Sequence, residues 1–356
     1  MQDITNKSLN DNIKVSAIVT TYNRLEEAKR AIESVINQNY RHIEIIIVED
    51  GSNSGIEAWL DTTKTDNTRY VRLDHNRGLA VARNTGLKFA TGELIAYLDD
   101  DDEWKPDRIK KQVEAYNKVA FSDKDRLGVI YCGAEIRFPG KKSVSIKHPK
   151  RVGDIRKIIV NEGMVTIASS YLFIKKAIED VGRFDENLSS CIDHDIWMAL
   201  ASRGYTAIAV DKPLVIVYDR TNRTTMMTNT KGRMKGVKQY VNKWKPTFYE
   251  WFGKVNGDKY ICRYHSRVLS RLIANKLVSG DIEESWMITK EVFSFGKCFA
   301  YKIFVLGKYS LISLIEKVLP DKVQDLIRKT LNYCIRVIRA YKKLWGKFGA
   351  VSNEDN

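Results

Sequence analysis

The sequence predicts an α/β domain, with a mainly parallel sheet covered by helices on both faces, followed by an all-helical region. Two observations carry the first part. Apolar β-rich runs alternate with amphipathic helical segments from residue 15 to about 117, and polar clusters fall at the ends of those runs. A third observation carries the second part: beyond about Lys231 only helical patterns remain, and the charge balance changes sharply. The boundaries read as 1–12 for a flexible N-terminus, 13–225 for the α/β domain and 226–356 for a basic helical region.

The elements follow in order. VSAIVTT (15–21) is an apolar strand, and LEEAKRAIESVINQ (25–38) puts Leu25, Ala28, Ile32, Val35 and Ile36 on one helical face. IEIIIVED (43–50) is a buried-strand run, and YVRL (70–73) is a short strand. LAVARNTGLKFA (79–90) is a helix with Leu79, Ala82, Leu87 and Ala90 on one side, and LIAYL (94–98) is the next strand. Pro106 opens a helix bearing Ile109, Val113 and Tyr116. GVIYCGAEIRF (128–138) is a strand, HDIWMALASRG (194–204) is a helix ending on Gly204, and PLVIVYDR (213–220) is the last strand.

Composition sets limits. An apolar content of 44% across 356 residues supports a sizeable core. The five cysteines, Cys132, Cys191, Cys262, Cys298 and Cys334, form no CxxC pair. Their scatter and odd number imply unpaired thiols in a reducing compartment and argue against a zinc site. The polar start MQDITNKSLNDN leads us to expect no signal peptide. The longest apolar candidate, IFVLGKYSLISLIEKVL, is broken by Lys308 and Glu316 and falls short of the roughly 18 residues of a spanning helix. The expected location is therefore the cytoplasm.

The charge is uneven. From Arg220 to the end there are 27 Lys and Arg against 11 Asp and Glu, so the whole excess of +15 sits there and the rest is nearly neutral. That asymmetry suggests an anionic partner: a membrane surface, a nucleic acid or an acidic glycan. A solvated charged helical surface is the plainer alternative.

Four consecutive aspartates, Asp99 to Asp102, stand in ELIAYLDDDDEWKPDR, after a strand and before a helix. Adjacent carboxylates repel, so something positive must sit beside them, a basic patch or a metal ion. In parallel α/β sheets ligands bind at the carboxyl ends of the strands. Three polar clusters share that edge: Thr20-Thr21-Tyr22-Asn23-Arg24, Glu49-Asp50-Gly51-Ser52 and the aspartates. Neither GxGxxG nor GxxxxGK[ST] is present, so no dinucleotide fingerprint or P-loop handles phosphate. A carboxylate-held Mg²⁺ or Mn²⁺ would serve instead, bridging to a diphosphate.

In this order, VSAIVTTYNR, AIESVINQNY, IEIIIVEDGS and NRGLAVARNTGLKFATGELIAYLDDDDEWKPDR resemble the family 2 glycosyltransferases of the GT-A fold. The resemblance spans about residues 13–220 and does not extend to 221–356. It implies an inverting enzyme that uses a nucleotide-diphospho-sugar, here a UDP-sugar, with Mn²⁺ or Mg²⁺, acting on a saccharide or lipid-linked glycan in cell-surface polysaccharide assembly. By the same resemblance, Thr20 and Tyr22 contact uridine, Asp50 accepts from the base N–H, and Arg83 reaches the nucleotide. Asp101 binds the metal, and Asp99 or Asp100 reaches the ribose or the metal's water shell. Asp102 caps the following turn or faces the acceptor. In SCIDHDIWMALA, Asp193 matches the family's catalytic base, although Ile192 stands where the family has Glu. Asp195 orients the site or caps the helix, and N-capping is the plainer role for both aspartates. His194 is read as a hydrogen-bonded or exposed neighbour. Relatives carry a histidine after the last strand; here the stretch is YDRTNRTTMM, so Asn222 could offer a metal ligand and Arg220 and Arg223 could meet the diphosphate. This loop is a candidate lid over the donor.

Finally, residues 323–350 read as one amphipathic helix. Ile327, Leu331, Cys334, Ile338, Tyr341, Trp345 and Phe348 follow spacings of 4, 3, 4, 3, 4 and 3, with basic residues on the flanks. Packing on the chain's own core, a seam between protomers and an anionic inner leaflet all compete for the stripe; the cationic flanks favour the leaflet. Two other functional classes stay open, a nucleic-acid-associated protein using the basic half and a nucleotidylyltransferase. Against the first, the tail's aromatics lie on the apolar stripe; against the second, no Gly-rich basic loop follows the first strand.

Overall fold

The computed structural model describes residues 12–63, 67–138, 144–149, 152–162, 167–218 and 229–318. The chain divides into two compact units between Gly257 and Asp258.

In the first unit the strands are β1 (Val15–Thr21), β2 (Ile43–Glu49), β3 (Thr68–Arg72), β4 (Leu94–Asp99), β5 (Asp102–Trp104), β6 (Leu127–Arg137), β7 (Val144–Lys147), β8 (Gly153–Asp154), β9 (Leu172–Ile174) and β10 (Thr206–Tyr218). The helices there are α1 (Leu25–Ile36), α2 (Ile56–Thr63), α3 (Leu79–Phe89), α4 (Arg108–Asn117), α5 (Phe121–Lys124), α6 (Ile155–Glu162), α7 (Lys175–Asp180) and α8 (Ile192–Ser202). A 3₁₀ turn at Ala168–Ser170 precedes β9. The strands form one sheet in the order β3-β2-β1-β4-β9-β6-β10-β5, with β7 beside β6 and β8 beside β10.

The first four strands are parallel, as the alternation of strand and helix requires. Beyond them the sheet is mixed: β9 runs antiparallel to both β4 and β6, and β5 antiparallel to β10. These short strands carry no alternating pattern of their own; SSYLFIKKAIEDVGRFDENL reads as a strand, a short helix and a turn, which matches β9 and α7, but its antiparallel direction leaves no local trace. Alternate residues of β1 serve opposite faces. Val15, Ala17 and Val19 join Ala28, Ala31, Ile32 and Val35 of α1 in the core. Ile18 points the other way, towards α3. A Cβ on Gly86 would lie 2.4 Å from Ile18 Cγ2, so only glycine lets α3 pack this close. Within β10, Pro213 sits at a register shift, where a missing N–H costs the ladder nothing.

A long helix, α9 (Thr230–Ser279), leaves helical geometry at Gly253 (φ 73°, ψ 160°). Its part before Gly253 is tied to the first unit through buried Val237, Tyr240, Val241 and Phe248. The division between units therefore falls later than residue 225. The second unit contains the end of α9, then α10 (Ile282–Ser294) and α11 (Phe299–Val318). Here the expectation of five unpaired cysteines is corrected. Cys132 and Cys191 are free and buried, but Cys262 of α9 is joined to Cys298 by a disulfide. The two lie 36 residues apart, so spacing gave no hint that the helical fold brings them together. Cys334 and the stripe of 323–350 lie outside the described residues. Among the described residues no helix is long and apolar enough to cross a membrane.

Candidate functional site

The four aspartates lie across a tight turn. Asp99 ends β4, Asp100 and Asp101 form the turn, and Asp102 begins β5. Their carboxylates therefore diverge, and each meets a different environment.

Asp100 points inwards. Its carboxylate receives Arg24 Nη1 at 2.8 Å, Thr21 Oγ1 at 3.0 Å and the backbone N–H of Tyr22 at 3.3 Å. Burial pushes its pKa up to about 6 and Asp101 adds to this, while Arg24 opposes it. Asp101 shares Arg24, at 3.2 Å. Asp102 is buried and accepts Ser169 Oγ at 2.6 Å. Burial, with Asp101 and Asp99 nearby, pushes it well above the usual carboxylate range. It neither caps a turn nor faces an open site, because β5 turns its side chain into the sheet's interior. Asp99 and Asp101 retain the accessible carboxylates, with side chains 31% and 26% exposed.

Asp99 meets the second carboxylate centre through one side chain. Arg83 of α3 donates Nη2 to Asp99 Oδ1 and Nη1 to Asp193 Oδ1, each at 2.8 Å. The guanidinium is almost wholly buried, packed near the rings of Phe184 and Tyr97 at 5.2 and 5.7 Å. Burial alone would lower its pKa, but Asp99 and Asp193 reverse this and hold it firmly cationic. Burial raises the Asp193 pKa; Arg83 opposes the rise, and Asp99 reinforces it. The positive charge that the aspartate run demands is thus two arginines, Arg24 and Arg83.

Helix α8 begins after Cys191, a non-glycine residue in the left-handed region (φ 65°), and no side chain caps it. N-capping is therefore the role of neither Asp193 nor Asp195. Asp195 accepts Lys243 Nζ at 2.9 Å and Trp244 Nε1 at 2.7 Å, fastening α9 to α8. The His194 ring lies edge-on to Tyr240, at 6.1 Å.

At the neighbouring strand ends, Thr20 is buried beside Asp99 in register, and Tyr22 is exposed. Asp50 accepts the backbone N–H groups of Arg77 at 2.7 Å and Gly78 at 2.8 Å. The loop carrying them crosses Gly51 (φ 71°), where a Cβ would lie 1.9 Å from the His75 carbonyl carbon, so glycine is required. Beside it opens a cavity of about 630 Å³, lined by Ser52, Asn53, Tyr70, Arg72 and Asp74 among others. Glu49 supports its wall, accepting Ser52 Oγ at 2.6 Å, Ser54 N–H at 2.8 Å and the Tyr70 hydroxyl.

The structure therefore brings Thr20, Tyr22, Asp50, Arg83, Asp99, Asp100, Asp101 and Asp193 to one edge of one unit. Arg83, expected at the nucleotide, lies instead beneath the surface, between two carboxylates. Arg220, Asn222 and Arg223 lie outside the described residues. Sequence reasoning missed Thr21, Arg24 and Ser169 as partners of the aspartates. For Arg24 the signal was present, a cation at a strand end facing an acidic run. For Ser169 there was none, because it lies in the 3₁₀ turn before β9 and nothing local marks it as a partner of Asp102, 67 residues away.

The chemistry of Asp99 and Asp101 fits a hard divalent cation. Such ions take one or two carboxylates and complete their shell with substrate phosphate and water. Among the described residues no group of three His, Cys, Asp or Glu side chains forms a protein-only cage.

The fold and this edge define a GT-A domain. Residues 16–150 match the family described as Glycosyl transferase family 2. An uncharacterized glycosyltransferase of Rickettsia conorii is 33% identical over 192 residues, covering 52% of this chain and 31% of its own. TuaG of Bacillus subtilis, named for teichuronic acid biosynthesis, is 40% identical over 102 residues, covering 28% of this chain and 40% of its own. Mannosyltransferase PcManGT from Pyrobaculum calidifontis, solved with GDP-Man and Mn²⁺, superposes with a TM-score of 0.51 at 17% identity, covering 87% of this chain and 88% of that one, a likeness of fold. The chain is similar to the family 2 glycosyltransferases over residues 16–150, within its first unit. It spans between 30% and 57% of the length of its first Rickettsia relatives.

Proposed function

We propose that the chain transfers a sugar from a nucleotide-diphospho-sugar, a UDP-sugar, to a saccharide or lipid-linked hydroxyl in polysaccharide assembly, inverting the anomeric carbon. The observation that supports it most is Arg83, bonded at 2.8 Å to both Asp99 and Asp193. One rigid cation thereby fixes the donor carboxylate relative to the base.

Asp193 takes the proton of the acceptor hydroxyl on Oδ2, since Oδ1 is held by Arg83. Burial raises its basicity, which suits a general base near neutral pH. The hydroxyl oxygen forms its bond to the anomeric carbon as the bond to the diphosphate oxygen breaks on the opposite face; this single displacement inverts the centre. Tyr22 and Asp50 hold the nucleobase. Asp99 and Asp101 would hold Mn²⁺ or Mg²⁺, joined by Asn222, and the bound ion would neutralise the departing diphosphate. Arg220 and Arg223 would meet the diphosphate.

The test is a panel of UDP- and GDP-sugars incubated with Mn²⁺ and a glycan acceptor. Consumption of a UDP-sugar with an inverted product supports the reading. Consumption of none, or a product with retained configuration, overturns it.

A further inference from the structure

Helix α11 is amphipathic in reverse. From Phe299 to Leu311 its exposed positions are Phe299, Ala300, Ile303, Phe304, Gly307 and Leu311, and none is polar. The four large side chains are 48–68% exposed. Of the two charged residues in this stretch, Lys308 is half-buried over the Tyr309 ring, and Lys302 lies on the other side, 2% exposed, donating Nζ to the carbonyls of Phe293 at 3.1 Å and Gly296 at 3.0 Å.

This orientation is fixed within the second unit. The Cys262–Cys298 disulfide tethers the residue before Phe299, and Lys302 pins the back of the first turn. Rotating the helix to hide its phenylalanines would strip Lys302 of both carbonyls and expose Val305, which is now buried. A contiguous apolar arc held outward in this way marks an interaction surface.

We propose that this arc docks on an anionic membrane surface, with α11 lying in the plane of the headgroups. Charge complementarity selects the occupant. The second unit, Asp258–Asn356, carries 18 Lys and Arg against 10 Asp and Glu, an excess of 8 positive charges, and exposed Lys297 stands two residues before the arc. A second copy meeting the same face would bring two cationic regions together, whereas an anionic leaflet attracts one. Nearby in sequence, α10 exposes Ile282 and Trp286, with Lys290 Nζ 5.3 Å from the indole centroid, a pairing suited to the headgroup zone. From Phe299 to Leu311 the arc runs about 18 Å along the helix axis, more than a point anchor. The proposal does not depend on the transfer reaction.

The experiment is co-sedimentation of the full chain with phosphatidylglycerol–phosphatidylcholine vesicles and with phosphatidylcholine alone, for the parent and for the double variant Phe299→Ser/Phe304→Ser. The parent should bind the anionic vesicles preferentially. The double variant should bind them at least about tenfold more weakly, with an unchanged or higher Tm, because water already surrounds those rings. Ile303→Ser provides the same comparison should the double variant misfold. Three results would overturn the proposal: a parent that ignores anionic vesicles, serine variants that bind as the parent does, or a parent that dimerises through this face. A fall of several degrees in Tm for Ile303→Ser would do so too, because it would show the arc packed against protein, residues 319–356 included.

Discussion

Two carboxylate clusters occupy opposite edges of the same sheet, and they are built on opposite principles. At the amino edge, Glu44 opens β2. It accepts Ser16 Oγ at 2.5 Å, the Thr91 N–H at 2.6 Å and Lys14 Nζ at 2.9 Å. Burial works against its ionisation, yet these donors win and hold its pKa down to about 2. At the carboxyl edge the donors around Glu49 win as well, but around the aspartates burial wins. Asp100 rises to about 6, and Asp102 and Asp193 are raised, despite Arg24 and Arg83. The amino edge spends its donors on stability. The carboxyl edge keeps carboxylates in positions that cost the fold energy, the mark of groups retained for chemistry.

Asp193→Asn offers the sharpest way to break this contrast. Loss of a positioned base should lower kcat by about 10²- to 10⁴-fold. Nucleotide affinity should change little, because the base acts on the acceptor. Stability should hold or rise, because an amide escapes the burial penalty that Asp193 carries. Calorimetric titration with UDP, a melting curve and a turnover assay check the three parts. Lost UDP affinity with preserved kcat would make Asp193 a structural residue.

Arg83→Ala should show the reverse division. Removing a buried cation leaves Asp99 and Asp193 facing each other without compensation, a loss of about 3–5 kcal/mol in stability. Arg83→Lys keeps the charge but not the two-pronged geometry, so it should recover part of the stability and little of the turnover. Denaturant unfolding of both variants separates charge from geometry. An Arg83→Ala protein as stable as the parent would mean that the two carboxylates are already solvated or protonated.

The parallel half of the sheet was legible because β1, β2 and β4 are continuous apolar runs buried on both faces. The same pattern placed Asp50 and the aspartates at strand ends. Within the run, however, the assignments depended on information the sequence lacks. A turn at Asp100-Asp101 sends neighbouring carboxylates in different directions, and β5 and β9 are too short to show a period. ARNTG implied that Arg83 reaches the nucleotide, because nothing in it reveals that α3 faces Asp193, 110 residues away. The Cys262–Cys298 bond was hidden for the same reason: pairing across helices leaves no local trace.

The smallest of these effects tests the amino edge itself. Glu44→Gln removes the charge that Lys14 and the Ser16 and Thr91 donors stabilise. The folded-state pKa of Glu44 is about 2 against an ordinary 4.5. A depressed carboxylate contributes stability that is fully present above pH 4.5, declines as pH falls and is gone below about 2. Discounted for its partial exposure, the contribution is about 2 kcal/mol. Glu44→Gln should therefore lower the unfolding free energy by about that much at pH 7, and the gap to the parent should narrow steadily below pH 4.5. Asp100 behaves with the opposite sign. Its raised pKa favours the folded state at low pH, and that advantage disappears as pH rises through about 6. Urea unfolding of the parent and Glu44→Gln at a series of pH values resolves the two slopes. A gap that stays constant from pH 7 down to pH 3 would show that Glu44 acts through packing, and the distinction between the two edges would then lose its electrostatic basis.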